Sequence, residues 1–318
     1  MKLVVITGCL GFIGSHVTKK CLDLGWKVLG IDNFTYAANE DLVSYFLQEY
    51  ENDFDFIRSD ICDLKYLPDC DYVINTAAET HVGNSIIDSK DFLKSNINGV
   101  QNLLDLIKNK PNNVDRRPIL FHFSTDEVYG DIVDGDHTEE DHLNPSNPYS
   151  ASKAAADMLI KAWARTYGVE YIIFRPTNNY GEYQYPEKLI PLSVKLLQRG
   201  KKIRLHDEGK PIRNWLHAED TANAVISIIN SGKTNEIYNV AGGFEQENRE
   251  TVRKIIECYH GEGVDWIDYV DLGFKRKGQD VRYALNDQKL RSLGWKPEKT
   301  FNEEVPKLVQ FYKDNFKW

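Results

Sequence analysis

The chain has 318 residues, of which 42% are hydrophobic and 27% charged, and it carries a formal net charge of -9. That length supplies core enough for one large domain or two modest ones. The acidic balance argues against a nucleic-acid partner, which needs a basic surface, and no apolar run approaches the roughly 18 residues of a membrane span, so no membrane partner is expected.

The first strand candidate spans residues 3–7 and follows the N-terminus directly; it is too short for a signal-peptide core, and no cleavage site follows it. A glycine-rich turn leads from it into a helical pattern over 14–24. Strand candidates recur at 27–32, 54–59, 72–76, 119–124 and 171–175, with an amphipathic helix at 98–109 among the intervening segments. Apolar runs alternating with helices predict a parallel sheet covered on both faces, and right-handed crossovers make it doubly wound. Beyond Asn178 the alternation weakens. Pro, Gly and charged residues crowd into Tyr185-Pro-Glu-Lys188 and Asp207-Glu-Gly-Lys-Pro211, which points to a smaller C-terminal region. Residues 237–240 form a further strand able to rejoin the main sheet. The five cysteines are odd in number, scattered and without ligand spacing. Reduced thiols of a cytoplasmic protein are therefore expected, with neither a disulfide framework nor a metal site.

The turn reads Thr7-Gly8-Cys9-Leu10-Gly11-Phe12-Ile13-Gly14, between a strand and a helix. Gly8 permits the tight turn, Gly11 lets backbone approach a pyrophosphate, and Gly14 lets the helix pack on the strand. The helix N-terminus near Gly14, entered through Phe12 and Ile13, then offers unpaired N–H groups to phosphate. Asp32 ends the second strand, 18 residues after Gly14. A carboxylate there accepts from both ribose hydroxyls and repels a 2′-phosphate, and no Arg follows in Asp32-Asn33-Phe34-Thr35, so NAD is favoured over NADP. Asp60-Ile61, after the third strand, suits the adenine. Glycines in ordinary turns and Asp32 as a cap would explain each feature singly; the three in register point to NAD.

Tyr149-Ser-Ala-Ser-Lys153 sets a phenol and an amine four apart, one above the other on a helix. The ammonium can lower the phenol pKa and hold a ribose hydroxyl, making Tyr149 a general base. A solvated helix face is the plain alternative. The pair follows Thr125, at the end of an apolar strand, by 24 residues, and ligands of open α/β sheets gather beyond such strand ends.

The glycine turn, Asp32 and Tyr149/Lys153 together resemble the extended short-chain dehydrogenase/reductase family. Thr125-Asp126-Glu127-Val128-Tyr129-Gly130 resembles the nucleotide-sugar 4,6-dehydratases within it, those acting on dTDP-glucose above all. Further matching stretches are Thr35-Tyr36-Ala37, Ala77-Ala78-Glu79-Thr80-His81-Val82, Asn178-Asn179-Tyr180-Gly181, Pro186-Glu187-Lys188-Leu189-Ile190-Pro191 and Arg213-Asn214-Trp215. The resemblance implies an α/β fold: a doubly wound parallel Rossmann sheet with a smaller C-terminal α/β substrate-binding region. Residues 1–177, completed by roughly 215–243, would bind NAD; 178–214 and 244–318 would bind a nucleotide-diphosphate sugar. It implies that Tyr149 takes the C4 hydroxyl proton while the C4 hydride passes to NAD, and that Thr125 hydrogen-bonds the same oxygen. Glu127 would remove the C5 proton, Asp126 would protonate the departing C6 hydroxyl, and the hydride would return to C6, so NAD is recycled and stays tightly bound. Elimination needs one carboxylate and one carboxylic acid at the same moment, which adjacent like charges help to provide.

By the same matching, Asn33, Thr35, Ala77, Ala78, Glu79, Ser95 and Asn179 fall on the cofactor side. Thr80, Asn178, Lys188, Leu189, Arg204, Arg213, Asn248 and Arg276 fall on the substrate side, where a diphosphate needs cationic donors. Arg276 opens Arg-Lys-Gly-Gln-Asp280, with Lys277 where the family carries Pro. Cys9-Leu10 stands where the family has Gly-Ala, and His81-Val-Gly-Asn-Ser85 stands for His-Val-Asp-Arg-Ser. These departures bear on the nucleotide more than on the chemistry, and UDP-glucose stands beside dTDP-glucose as candidate substrate, because a methyl and a hydroxyl discriminate by only a few kcal/mol. A nucleotide-sugar 4-epimerase of the same fold and a non-catalytic NAD-binding scaffold are the alternatives; the Asp126-Glu127 pair argues against the first, the complete catalytic set against the second. The resemblance also implies a homodimer built on a four-helix bundle, with 98–109 and 151–166 as the helices; packing on their own sheet would equally explain them.

Overall fold

The computed structural model describes residues 1–110, 117–275 and 280–315. Its strands, in chain order, are β1 (Leu3–Thr7), β2 (Lys27–Asp32), β3 (Phe54–Arg58), β4 (Tyr72–Asn75), β5 (Ile119–Phe123), β6 (Tyr171–Pro176), β7 (Asn178–Tyr180), β8 (Ile203–His206), β9 (Ile212–His217), β10 (Glu236–Val240), β11 (Glu245–Glu247) and β12 (Val270–Phe274). The helices are α1 (Phe12–Asp23), α2 (Asp41–Glu49), α3 (Val82–Ile87), α4 (Lys90–Leu93), α5 (Val100–Lys108), α6 (Pro148–Tyr167), α7 (Leu189–Gln198), α8 (Ala218–Ser231), α9 (Asn248–His260), α10 (Gln288–Arg291) and α11 (Phe301–Asp314).

Seven strands form one all-parallel sheet in the order β10-β6-β5-β4-β1-β2-β3. The apolar runs explain it: every residue of β5 and β6 is buried, as a strand covered on both faces requires. Val17 and Cys21 of α1 with Val225 and Ile228 of α8 cover one face. Leu103, Leu104 and Ile107 of α5 with Ile160 of α6 cover the other. The sheet is the doubly wound one expected, and residues 236–240 rejoin it beside β6. Chain direction across the sheet reverses between β1 and β4, which opens a crevice at their C-terminal ends, the place where such folds bind ligands. After β6 the chain builds a second core from Ile190, Val252, Ile256, Val305 and Leu308, with two small sheets, β11-β9-β7 and β12-β8.

Element ends differ from the sequence expectation where caps decide them. α1 begins at Phe12, not at 14, because Gly11 already holds the extended conformation of an N-cap. The expected helix over 98–109 is preceded by a π-helical turn, Lys94–Gly99, that runs straight into α5. α6 starts where Asn147 and Ser150 form a reciprocal cap with Pro148 in the first turn, and it ends on Gly168 in the left-handed conformation.

Candidate active site

The crevice begins at the glycine turn. Gly8 has φ +72°, and a Cβ there would fall 2.6 Å from the Ala77 nitrogen. A Cβ on Gly14 would fall 2.0 Å from the Gly8 carbonyl oxygen. Both positions therefore hold the turn, α1 and β4 at backbone contact. Gly11 differs: its Cβ would meet only the Gly8 oxygen, at 3.3 Å, so its surface faces the crevice. One end of the crevice gathers Gly8, Gly11, Asp32, Asn33, Thr35, Asp60, Ile61, Ala77, Ala78, Glu79 and Ser95, with no Arg or Lys in that lining. Asp32 is held by N–H groups of Leu10, at 3.1 Å, and Phe34, at 3.0 Å. Asp60 pairs with Lys94 at 2.7 Å. The Glu79 backbone is clamped by Asn96, which accepts from its N–H at 2.9 Å and donates to its carbonyl at 3.0 Å. Burial, then the charges of Asp91 and Glu187, push the Glu79 carboxyl up to about 7. These residues fit an NAD molecule: glycine backbone open to a diphosphate, the uncapped start of α1 beside it, and a buried carboxylate, Asp32, able to accept from ribose hydroxyls.

The inner end of the crevice is lined by Phe12, Ile13, Gly14, Thr80, Thr125, Asp126, Glu127, Tyr149, Asn178, Asn179 and Lys188. β5 ends at Phe123, and a 3₁₀ turn, Asp126–Tyr129, follows, capped by the Thr125 hydroxyl, which accepts from the Glu127 N–H at 3.3 Å. The same hydroxyl donates to Asp126 Oδ1 at 3.0 Å, while Asp126 Oδ2 is buried with no hydrogen-bond partner among the described residues. Burial first, and then the charge of Glu127, push the Asp126 carboxyl up to about 7. Burial also raises Glu127, against a hydrogen bond from Asn147 and the positive charges of Arg213 and Lys188. Burial and the neighbouring charge thus push Asp126 toward its acid form, while Asn147, Arg213 and Lys188 work against burial at Glu127, the kind of divided environment that acid–base chemistry on one substrate requires.

Two consequences can be measured. A carboxyl raised from 3.8 to about 7 is protonated in the folded state across a window where the unfolded chain is charged, so its contribution to stability is lost as pH rises through that window. Asp126→Asn keeps the Thr125 hydrogen bond and removes the buried charge; at pH 8 it should raise stability by about 1–4 kcal/mol in denaturant melts, at roughly 1.4 kcal/mol per unit, with the gain vanishing near pH 4. In the parent protein kcat/KM should fall as pH rises above about 7, where the acid form of Asp126 is lost.

The Tyr–Lys spacing predicts that Lys153 lowers the Tyr149 phenol. The Lys153 ammonium instead donates to the Phe123 carbonyl at 2.5 Å, and burial pulls it down to about 8. Burial and the charges of Glu127 and Asp126 push the phenol up, with a Thr125 hydrogen bond alone opposing them. Spacing on a helix sets which side chains share a face, and the buried carbonyl at the end of β5 decides where this amine points.

The substrate-side residues are only partly gathered. Thr80, Asn178 and Lys188 line the inner crevice, where the Lys188 ammonium donates to the Thr80 carbonyl at 3.1 Å. Asn178 Oδ1 is buried without a hydrogen-bond partner among the described residues. Leu189 is the first residue of α7. Asn179 is tied to the Thr177 carbonyl and the Thr221 hydroxyl. Arg213 is buried; it donates to the carbonyls of Ile212 and Asp280 at 2.6 and 3.2 Å and stacks 4.7 Å over the Tyr283 ring. Arg204 is exposed on β8, over Phe274, and Asn248 opens α9; neither lines the crevice described. Arg276 lies outside the described residues. Sequence reasoning missed Asn96, which fixes Glu79, and Asn147, which donates to Glu127 Oε2 at 3.3 Å. Asn147 was readable in part, since Asn-Pro ahead of a helical pattern signals an N-cap.

A family model described as GDP-mannose 4,6 dehydratase matches residues 5–308. The chain is 38% identical over 337 residues to the dTDP-glucose 4,6-dehydratase of Haemophilus influenzae, across 98% of each protein. It superposes on the crystal structure of DesIV, a dTDP-glucose 4,6-dehydratase from Streptomyces venezuelae with NAD bound, with a TM-score of 0.92 and 35% identity, covering 99% of this chain and 98% of that one. The UDP-glucose 4-epimerase of Thermotoga maritima, at 23% identity, 98% and 99% coverage and a TM-score of 0.84, shares the fold.

Proposed function

We propose, from the premise that the chain belongs to the GDP-mannose 4,6-dehydratase family, that it is an NAD-dependent hydro-lyase converting dTDP-glucose to the 4-keto-6-deoxy sugar nucleotide. The observation that carries this is the acid pair: Asp126, buried and bonded to the Thr125 hydroxyl, beside Glu127, bonded to Asn147, on a turn that lines one crevice with Tyr149.

Gly8, Gly11, Gly14, Asp32, Asn33, Thr35, Asp60, Ile61 and the Ala77–Glu79 backbone would hold the cofactor, with Ser95 and Asn179 at its edges. When bound, NAD supplies the hydride acceptor at sugar C4, the donor at C6, and a cationic ring. Tyr149, as the phenolate, would take the proton of the C4 hydroxyl, and Thr125 would donate a hydrogen bond to that oxygen. Lys153 sits buried behind Tyr149 and supplies the positive charge of this side of the site. The C4 ketone acidifies the C5 proton, which Glu127 removes. Asp126 gives its proton to the C6 hydroxyl, which leaves as water, and Glu127 returns its proton to C5. Lys188, Asn178 and Thr80 orient the sugar and diphosphate. Arg213 acts from behind, its charge holding both carboxyls lower than burial alone would set them. Arg204 and Asn248 would meet the nucleotide, Leu189 would line the substrate side, and by motif position Arg276 would meet the diphosphate; residues 178–214 and 244–318 would take the substrate and 1–177 with 215–243 the cofactor.

The protein acts as a homodimer through α5 and α6, whose side of the molecule leaves Leu93 and Met158 half exposed. The cytoplasm suits its five unpaired thiols; no helix among the described residues is long and apolar enough to cross a membrane. Incubation with dTDP-glucose and, separately, UDP-glucose tests the assignment by NMR. The 4-keto-6-deoxy product is expected from dTDP-glucose. Product from UDP-glucose alone would reassign the nucleotide, a galactose-configured product would make the chain an epimerase, and no product from either would overturn the substrate.

A further inference from the structure

We propose that Arg175 is a positioning residue that sets the distance between the two halves of the catalytic centre, the Tyr149–Lys153 face of α6 and the turn carrying Asp126 and Glu127; this rests on the dehydratase reading above. Arg175 lies near the end of β6 and is 1% exposed. Its guanidinium divides its nitrogens between two elements. Nε and Nη2 donate to one oxygen, Asp157 Oδ2, at 3.0 and 2.8 Å. Nη1 donates to the Tyr129 hydroxyl at 2.6 Å. Asp157 stands on α6 one turn beyond Lys153, and Tyr129 is the last residue of the 3₁₀ turn that begins with Asp126.

Both partners are anchored again. Ser124, next to Thr125, donates to Asp157 Oδ2 at 3.0 Å. Tyr129 donates to Asn239 Oδ1 of β10 at 2.9 Å, and its ring lies 4.7 Å under the guanidinium. Lys153 meanwhile reaches the Phe123 carbonyl. Successive turns of α6 are thus pinned to successive residues at the end of β5, and Arg175 carries the same frame across to the acid turn.

A fully buried ion pair is weak support for stability, since apolar replacements of similar volume often do as well. Asp157 Oδ1 moreover has no hydrogen-bond partner among the described residues. What a planar guanidinium adds is direction, a fork whose arms hold two groups at a fixed angle. The chemistry needs that. Tyr149 must meet C4 while Glu127 meets C5 and Asp126 meets the C6 hydroxyl of one sugar, and an error of about 1 Å can cost about 100-fold in rate.

Tyr129→Phe removes the oxygen that joins Arg175 to the acid turn, and with it the bond to Asn239 Oδ1; the ring and the Asp157 pair stay. Ser124→Ala loosens the α6 side alone. The holoenzyme is assayed with dTDP-glucose carrying deuterium at C4 or at C5. Tyr129→Phe should lower kcat about tenfold, raise the C5 isotope effect and shrink the C4 effect. Ser124→Ala should do the reverse. Unchanged kcat, or a lower kcat with the parent's ratio of isotope effects in both variants, would mean a merely structural residue and overturn the proposal. Amide hydrogen exchange gives a readout independent of turnover. In Arg175→Lys, protection should fall together in 124–129 and 149–157; loss in one segment alone would equally overturn it. A parent protein that makes no product from dTDP-glucose sinks the dehydratase reading instead, and the exchange experiment still reports on Arg175.

Discussion

Asp126→Asn combined with Glu127→Gln is expected to abolish dehydration while leaving the fold and the C4 chemistry in place. Both changes are nearly isosteric. Asn can still accept the Thr125 hydroxyl at the Oδ1 position, and Gln can still accept Asn147. What disappears is a proton donor and a proton acceptor. Each such group is worth about 10²–10⁴ in rate, and because both act on one elimination the double loss should fall short of the product of the two. The single variants separate the roles. In D₂O, Glu127→Gln should return substrate with no deuterium at C5, since nothing removes that proton. Asp126→Asn should return substrate carrying deuterium at C5 but little product, since the proton leaves and the hydroxyl does not. NMR of the recovered sugar nucleotides distinguishes these outcomes; parent-level product from the double variant would remove the acid pair from the mechanism.

Much of this site was legible because its signals are local. The glycine spacing, the carboxylate at the end of β2, the Tyr–Lys spacing on one helix and two adjacent acids after a strand each follow from one short stretch of chain. The doubly wound parallel sheet followed from alternation and handedness. What the sequence withheld was the direction of long polar side chains, which tertiary packing decides. Lys153 bonds a strand-end carbonyl, and Arg213 bonds the backbone carbonyls of Ile212 and Asp280, contacts that motif position does not reveal. Arg175 and Asp157 were invisible for the same reason: they lie 18 residues apart on different elements, and each alone resembles a surface charge. The departure at Cys9-Leu10 also resolves in three dimensions. Both side chains enter the core; Cys9 packs so closely on β2 that a Cβ at Gly30 would lie 2.7 Å from its sulfur. Leu10 contributes through its backbone, donating to Asp32 and accepting from Asn39 at 2.9 Å. The turn asks for small backbone surface at its three glycines and leaves the residues between them to the core.

That distinction makes the glycines separable by experiment. Gly14→Ala places a Cβ 2.0 Å from the Gly8 oxygen and 2.6 Å from Thr76 Oγ1. Thr76 is itself bonded to the Thr7 carbonyl at 2.7 Å, so neither the turn nor β4 can yield without breaking the junction of β1, α1 and β4. Overpacking of this kind costs about 1–3 kcal/mol or more, and the variant should melt several degrees below the parent and bind NAD poorly. Gly11→Ala is the contrasting case. Its φ of -70° and ψ of 168° suit alanine, and the nearest protein atom would be at 3.3 Å. Stability should stay within about 1 kcal/mol of the parent, the entropic gain of Gly→Ala roughly offsetting a poorer N-cap. The new methyl nevertheless occupies the surface a diphosphate must approach, so NAD affinity should fall at least about tenfold, or about 1.4 kcal/mol. Melting with and without added NAD reads both effects, because a ligand stabilises only the state that binds it. The parent midpoint should rise with NAD and that of Gly11→Ala should hardly move. A Gly11→Ala protein that gains as much from NAD as the parent would place the diphosphate elsewhere, and a Gly14→Ala protein that melts like the parent would show that the junction can open.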